Sequence, residues 1–212
     1  MRRFMMTIAV AFVTIVIAPV EVSAQFDLGK ALGQLLGGSA TTPADDVPTP
    51  YDRLRENAPA KSKLMGTWQY KGATIEYLGD NPLADAALKS VEGYGIAELK
   101  KLGVIEGCCS LTLRRNGLAV VATRDALQEG TFTYDESDAS VVIKGTYDGT
   151  SYRADGYVKI VGGRLIVMVD AMDVLKEILK ASPELATDQT VITTKALLES
   201  FGDVYISVMW VR

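Results

Sequence analysis

The sequence contains no histidine, and this absence narrows the chemistry open to the protein. Histidine is the commonest general base and metal ligand, and it is the proton relay of the usual catalytic triad. Enzymes can work without it by using carboxylates, Lys or Tyr. The absence nevertheless lowers the expectation of hydrolase or zinc chemistry, and no catalytic motif stands out. We expect a protein that is not an enzyme and that holds no metal or cofactor.

An excess of positive charge and long apolar runs are also missing. The chain carries 22 basic and 26 acidic residues, so it has no basic surplus for phosphate backbones, and nucleic-acid binding is not expected. After residue 24, no stretch is long and apolar enough to cross a bilayer. Apolar residues still make up 48% of the chain, which is sufficient for the core of one domain.

Cysteine is scarce, and the two cysteines, Cys108 and Cys109, are adjacent. Their Cα atoms are separated by about 3.8 Å, below the roughly 4.4–6.8 Å of ordinary disulfides. On a strand their side chains point to opposite faces. We expect no bridge between them, with Cys109 buried in the core and Cys108 facing outward or at an edge. A redox or metal-binding pair is the alternative, although neither a CxxC spacing nor a histidine accompanies it.

Residues 1–24 have the pattern of a secretory signal peptide. Arg2 and Arg3 precede an apolar run from Met5 to Ala18, and the small residues of Val22-Ser23-Ala24 end the segment. No cysteine stands at this point to receive a lipid. We therefore expect cleavage after Ala24 and export to the periplasm, the cell surface or the outside of the cell.

Residues 25–63 are expected to form an N-terminal amphipathic segment and a flexible linker. Residues 25–36 place five apolar side chains on one helix face, namely Leu28, Ala31, Leu32, Leu35 and Leu36. The segment is either a flexible, partly helical tail or an amphipathic helix that contacts a partner or a membrane surface. Its polar side lacks the Lys and Arg residues of membrane-surface helices, which favours the tail. Residues 37–63 are rich in Gly, Ser, Thr and Pro at first, with one or two helical turns before Pro59. We place the compact domain at residues 64–212.

The domain is rich in strand patterns. Two short strands, Thr67–Lys71 and Ala73–Leu78, precede a helix expected from Asn81 to Leu102. Three turn signals then divide six further strands into hairpins. The turns are Arg115-Asn116-Gly117, Glu136-Ser137-Asp138 and Gly162-Gly163, and the strands they join are 110–114 with 118–122, 130–135 with 139–144, and 152–161 with 164–169.

The end of the domain predicts two helices and one strand. Asp170 begins a helix through Lys180, a second helix spans about 188–200, and the last strand is Val204–Val211. The total is about nine strands. Because an antiparallel meander must bury one face and manage its edges, we expect a closed or nearly closed barrel. The fold class is mainly β, with one helix after the second strand and a helix pair before the last.

A family resemblance points to the same fold. The sequence has a Gly-Thr-Trp-x-Tyr start at Gly66–Tyr70, a Gly-Asp-Asn stretch at Gly79–Asn81, paired helices within residues 170–200 and a final basic Arg212. In these features it resembles an exported lipocalin-like family of Bacteroidetes, catalogued as a domain of unknown function. The resemblance implies a lipocalin-like barrel in the cell envelope and no particular activity.

The resemblance also implies a contact that closes the barrel. Lipocalin barrels often pack a basic residue of the last strand across the Trp of the first strand, and the matching residues here are Arg212 and Trp68. Arg212 shares the inward parity of Val208 and Trp210, since steps of two residues keep one face of a strand. A frayed and solvated C-terminal Arg is the alternative.

Two functional interpretations follow. The first is a non-catalytic binding module that holds a small apolar ligand inside the barrel. The second is a structural or interaction protein of the envelope, with an envelope protein as partner and a solid core without ligand. The residues expected to line the barrel are Trp68, Tyr70, Ile75, Tyr77, Leu111, Leu113, Val142, Tyr157, Ile166, Met168 and Trp210.

Acidic residues give little support to an enzyme. Asp170 and Asp173 are explained by helix capping. Glu76, Asp80 and Glu106 are isolated near turns, where we expect them to be solvated.

Overall fold

The computed structural model describes residues 49–79, 104–123, 127–147, 150–181 and 183–212, with the single residues Asn81, Ala84, Leu88, Glu92 and Lys100. The expected signal peptide (1–24) and amphipathic segment (25–36) lie outside the described residues. So does most of the helix expected from Asn81 to Leu102, of which the described Ala84, Leu88, Glu92 and Lys100 are helical.

Eight strands of the described residues form a closed barrel in which every neighbouring pair is antiparallel. Each strand pairs with the next along the chain, and the last pairs with the first, so no edge is left open. The meander barrel expected from the sequence is confirmed. The strands are β1 Gly66–Tyr77, β2 Cys109–Leu113, β3 Leu118–Thr123, β4 Leu127–Asp135, β5 Ser140–Tyr147, β6 Thr150–Val161, β7 Arg164–Asp170 and β8 Val204–Val211.

The expected count of about nine strands is corrected at β1. The segments Thr67–Lys71 and Ala73–Leu78 are not two strands but parts of one, with a bulge between Tyr70 and Gly72 in its pairing with β8. A bulge adds one residue to a strand and so breaks the alternation of its side chains. Tyr70 and Ala73, three positions apart, both belong to the inner core as a result.

The three expected turns are present between β2 and β3, β4 and β5, and β6 and β7. Gly117, Gly162 and Gly163 have φ values of 80°, 57° and 76°, in the left-handed region that glycine adopts without a Cβ clash. The turn signals read from the sequence therefore fix these hairpins at the expected places.

A short helix, α1 (Pro50–Glu56), lies on the outer wall of the barrel. Its apolar Leu54 is buried in a cluster with Ile166 and Met168 of β7. The hydroxyl of Tyr51 donates to Asp203 Oδ1 at 2.6 Å and lies 3.0 Å from the hydroxyl of Tyr205. The contacts of the barrel thus extend back to residue 51, earlier than the domain start that we placed near residue 64.

Residues 59–65 cover one end of the barrel. They include α2 (Lys61–Leu64), whose Leu64 is only 1% exposed and belongs to the inner core. The backbone N–H of Lys61 donates to Glu136 at 2.8 Å, and the hydroxyl of Tyr134 donates to the Pro59 carbonyl at 2.7 Å. These bonds tie the segment to the turn between β4 and β5.

The expected helix pair covers the opposite end. It consists of α3 (Ala171–Ala181) and α4 (Gln189–Phe201), joined through a 3₁₀ turn at Pro183–Thr187. Asp170 accepts from the N–H of Asp173 at 2.9 Å, which confirms that this carboxylate caps α3. Leu175 of α3 and Val191 of α4 are each 1% exposed and pack on the inner core. None of the described helices has the length and apolar character that a membrane crossing requires.

Candidate functional site in the barrel interior

Trp68 and Arg212 close the interior at the end covered by residues 59–65. The Arg212 guanidinium carbon lies 4.5 Å from the centroid of the Trp68 ring, so the expected contact between the last and first strands is confirmed. Arg212 also donates to the carbonyls of Lys63 and Met65, at 3.0 and 3.2 Å. The indole N–H of Trp68 donates to the Leu64 carbonyl at 2.9 Å. The guanidinium therefore joins three segments at once.

Tyr70 and Trp210 meet further inside the barrel. Their rings are edge to face, with centroids 5.8 Å apart. The indole Nε1 of Trp210 is buried and has no hydrogen-bond partner among the described residues. Burial raises the pKa of Tyr70 to about 12, and the neighbouring Cys108 and Cys109 add to the shift. An unsatisfied buried donor is costly, so the Trp210 N–H is the polar group of this interior most in need of an acceptor.

The structure brings six of the expected lining residues together in the inner core. The Tyr77 side chain is partly buried and packs against this core. Its ring centroid lies 6.5 Å from that of Phe201. Its position is at the helical end of the barrel, beside α4. The six fully buried residues are Trp68, Tyr70, Ile75, Leu111, Leu113 and Trp210.

Tyr157, Ile166 and Met168 do not line the interior. They belong to the outer cluster beneath α1, on the face of the sheet opposite to Leu165 and Val167. The sequence of β7, Arg-Leu-Ile-Val-Met-Val-Asp, is apolar at successive positions, so alternation could not tell one face from the other. The outer face is apolar because a helix covers it.

Val142 was also expected to face inward, but its neighbours do so instead. Val141 is buried in the inner core and Ile143 packs against it. Because side chains alternate along a strand, Val142 belongs to the other face. Because Val141, Val142 and Ile143 are all apolar, the sequence did not show which side of β5 faces inward, as was also the case for β7.

Several inner residues were not among those expected to line the barrel. On β4, Phe132 and Tyr134 are buried in the core and alternate with exposed threonines. That alternation was readable from the sequence as a half-buried strand. Three other unexpected inner residues, Val158, Leu165 and Val167, lie on β6 and β7, whose outer face is partly covered by α1.

The two cysteines lie closer together than expected. Both are free thiols, and their sulfur atoms are 3.6 Å apart. Cys109 is buried, as expected, and burial raises the pKa of its thiol above the ordinary value. Cys108 precedes the first residue of β2 and is partly exposed, so the condition for opposite faces, that both cysteines lie on a strand, is not met. Strand alternation does not apply to a residue in a turn.

An open polar groove of about 620 Å³ lies where β4, β5 and β6 meet α3. Some of its charged residues form ion pairs. Lys180 contacts Glu177 at 2.5 Å. Two nitrogens of Arg153 donate to the Asp155 carboxylate at 2.7 and 2.5 Å. Arg153 lowers the pKa of the Asp155 carboxyl. This polar lining differs from the apolar interior and suits no apolar ligand.

Several of the described carboxylates form ion pairs with lysine or arginine. Glu106 binds Lys71 at 2.5 Å, and Glu76 binds Lys159 at 2.5 Å with only 25% of its side chain exposed. Glu76 is therefore less solvated than expected, while Asp80 lies outside the described residues. Within the described ranges, no three His, Cys, Asp or Glu side chains are placed to hold a metal ion.

Comparison with known proteins identifies the family. The sequence profile of the lipocalin-like domain DUF4923 matches residues 44–210, which is most of the chain. The chain belongs to this lipocalin-like family. The closed eight-stranded barrel, in which Trp68 of the first strand contacts Arg212 at the end of the last strand, is consistent with that membership. No curated protein matches the chain.

One solved structure with a matching region is a DUF4847 family protein from Bacteroides vulgatus. It is 14% identical, and the match covers 68% of this chain and 92% of that chain with a TM-score of 0.35. The likeness is distant.

Proposed function

We propose that this lipocalin-like protein is an exported, non-catalytic binding module whose barrel interior takes a small apolar ligand bearing one hydrogen-bond acceptor. The observation that carries the proposal is the unpartnered indole N–H of Trp210, buried beside Tyr70. Apolar walls with one or two placed polar groups are typical of small-molecule sites. A ligand carbonyl or ether oxygen would satisfy the donor that the described residues leave free.

Export supports the same role. The basic head, apolar run and small residues of segment 1–24 are those of a signal peptide. A carrier in the envelope needs no catalytic group, and Glu76, Glu106 and Asp155 are each engaged in an ion pair.

The test is native mass spectrometry of the protein purified from its own envelope. We expect a small apolar mass that stays with the folded protein and is released into organic solvent on denaturation. Trp210→Phe keeps an aromatic ring but removes the N–H, so it should weaken ligand retention about fivefold, since a hydrogen bond is worth about 1 kcal/mol.

The control is Tyr157→Phe, because Tyr157 packs in the outer cluster beneath α1 and does not line the interior. This variant should retain the ligand. Protein that carries no small molecule, and that binds no apolar fluorescent probe when refolded, would contradict the binding role.

A specific observation favours a second candidate, an interaction protein of the envelope with a solid core. The inner side chains pack in one continuous apolar cluster that runs from Leu64 at one end to Leu175 and Val191 at the other. Such a barrel needs no ligand for stability. In the same experiment, a co-purified protein without a small molecule would support this candidate.

A further inference from the structure

Cys108 and Cys109 are held together by a turn that is anchored to β1. The N–H of Gly107 donates to the Tyr70 carbonyl at 2.8 Å, and the N–H of Cys108 donates to the Ile105 carbonyl at 2.9 Å. Gly107 has a φ of 74°, which lets the chain reverse just before Cys108. The strand begins only at Cys109, and the two sulfurs are therefore brought to 3.6 Å instead of lying on opposite faces.

The pair connects the surface with the interior. Cys109 is 4% exposed and belongs to the inner core, whereas Cys108 is partly exposed and packs against that core. One thiol is thus open to a small reagent, and the second lies directly behind it. Neither sulfur is part of a disulfide.

We propose that Cys108 and Cys109 form a two-sulfur binding site for a single soft, thiophilic ion that keeps one further position for an external ligand. Two metal–sulfur bonds of about 2.3 Å at a tetrahedral angle separate their sulfurs by about 3.8 Å, close to the observed spacing. Sulfur ligands select soft ions over hard ones such as Mg²⁺ or Ca²⁺.

The donor set excludes a structural zinc site within the described residues. Zinc of that kind takes four protein ligands, and no group of three His, Cys, Asp or Glu occurs in the described part of the chain. The site instead fits a three-coordinate soft centre, such as trivalent arsenic. Binding breaks two S–H bonds, forms two bonds from sulfur to the ion, and releases two protons without any oxidation or reduction.

Phenylarsine oxide tests the proposal directly. Its arsenic is trivalent and already carries one carbon ligand, and it exchanges its oxygen for two sulfurs with release of one water molecule. The folded, reduced protein is mixed with an equimolar amount, desalted and denatured in the presence of a thiol-alkylating reagent. We expect one arsenic retained per chain and both thiols protected from alkylation.

Single-thiol variants provide the controls. Cys108→Ser and Cys109→Ser each leave one sulfur, and neither should retain arsenic after desalting. Cys109→Ala replaces the serine variant if a buried hydroxyl prevents folding, which circular dichroism reports. The two-sulfur site does not use the Trp210 N–H. Trp210→Phe should therefore retain arsenic as the natural protein does, even if it loses binding of the apolar ligand.

Three results would overturn the proposal. Arsenic captured only by the denatured chain would mean that the fold keeps Cys109 out of reach. Retention by a single-thiol variant would mean that the two sulfurs do not act together. A quantitative bond between the two sulfurs in freshly purified protein would remove the dithiol that the site requires.

Discussion

At the scale of single residues, the contact between Arg212 and Trp68 adds a side-chain link to the backbone pairing of the first and last strands. A guanidinium over an indole contributes roughly 0.5–2 kcal/mol, depending on its desolvation. We therefore expect Arg212→Ala and Trp68→Phe to be coupled by about 0.5–2 kcal/mol in a double-mutant cycle read by denaturant unfolding. Additive losses would mean that the contact at 4.5 Å does not stabilise the barrel.

Arg212→Lys is the control for this cycle. The single Nη2 of Arg212 donates to the carbonyls of Lys63 and Met65 while the planar guanidinium lies over the indole ring. Lysine keeps the positive charge, but its compact ammonium lacks this planar group and cannot make the ring contact and both hydrogen bonds in the same way. We expect Arg212→Lys to lose part of the stability lost by Arg212→Ala, because the charge over the ring survives while the backbone contacts weaken.

Tyr51 is the residue that fastens α1 to the barrel wall. Burial raises the pKa of Tyr51 well above its ordinary value, and its hydrogen bond to Asp203 adds to the shift, so the hydroxyl remains a donor at all physiological pH values. We expect Tyr51→Phe to lower the free energy of unfolding by about 1–2 kcal/mol, since its acceptor is a carboxylate near the surface. Urea unfolding measures the change.

Tyr157→Phe is the matched control for Tyr51→Phe. The Tyr157 ring touches both Tyr51 and Tyr205, with centroids at 5.7 and 5.8 Å, but no hydrogen bond joins its hydroxyl to another described residue. Removing this hydroxyl should change stability by less than about 0.5 kcal/mol. Equal effects of the two substitutions would show that the Tyr51 hydroxyl has no special role.

At the scale of elements, α1 begins with a capping box that depends on pH. The side chain of Asp52 accepts from the Thr49 hydroxyl and backbone N–H, at 2.7 and 2.9 Å. These bonds lower the pKa of Asp52 below its ordinary value of 3.8. The Asp52 carboxylate therefore stabilises the fold fully at pH values above its ordinary pKa. This stabilisation is lost as the pH falls through the lower pKa that Asp52 has in the folded protein.

We accordingly expect the stability difference between the natural protein and Asp52→Asn to shrink when pH drops below about 4. Urea unfolding at a series of pH values measures this difference. Glu56→Gln removes a charge from the same helix outside the capping box and should show no comparable pH dependence. A difference that is constant down to pH 2 would contradict the role of the box.

The pairing of β6 with β7 depends on a glycine. A Cβ added at Gly156 would clash with the carbonyl oxygen of Met168, a backbone atom that cannot turn aside. We expect Gly156→Ala to destabilise the protein by about 1–3 kcal/mol or more, the usual range for overpacking. Gly72→Ala is the control, because its Cβ would meet only the end of the Met209 side chain at 3.4 Å. Thermal unfolding compares the two, and similar melting temperatures would refute the argument.

At the scale of the whole molecule, export remains a prediction. We expect the protein recovered from the envelope to begin at Gln25 without a lipid, because small residues precede that position and the position itself is not a cysteine. N-terminal sequencing of the exported protein checks the cleavage. Replacing Ala24 by a bulky residue should leave precursor uncut, whereas the same change at Ala31 should not.

Much of the whole fold was predictable from local signals. The Gly117 and Gly162-Gly163 turns, the cap at Asp170 and the helix pair appear as expected because each is specified by a few neighbouring residues. The division of β1 into two strands was wrong, since the bulge after Tyr70 depends on pairing with β8, which lies far along the chain. Pairing between distant segments leaves no local trace.

The sequence by itself determined a mainly β meander with closing helices, its turns, and the inward parity of Trp68 and Tyr70. These two residues alternate with polar Thr67, Gln69 and Lys71, so local chemistry reveals their face. Only the tertiary structure decided which face of β7 is inside, because α1 covers Ile166 and Met168 and makes both faces apolar. It alone also placed the sulfurs of Cys108 and Cys109 at 3.6 Å, since a turn anchored to Tyr70, and not strand alternation, sets their direction.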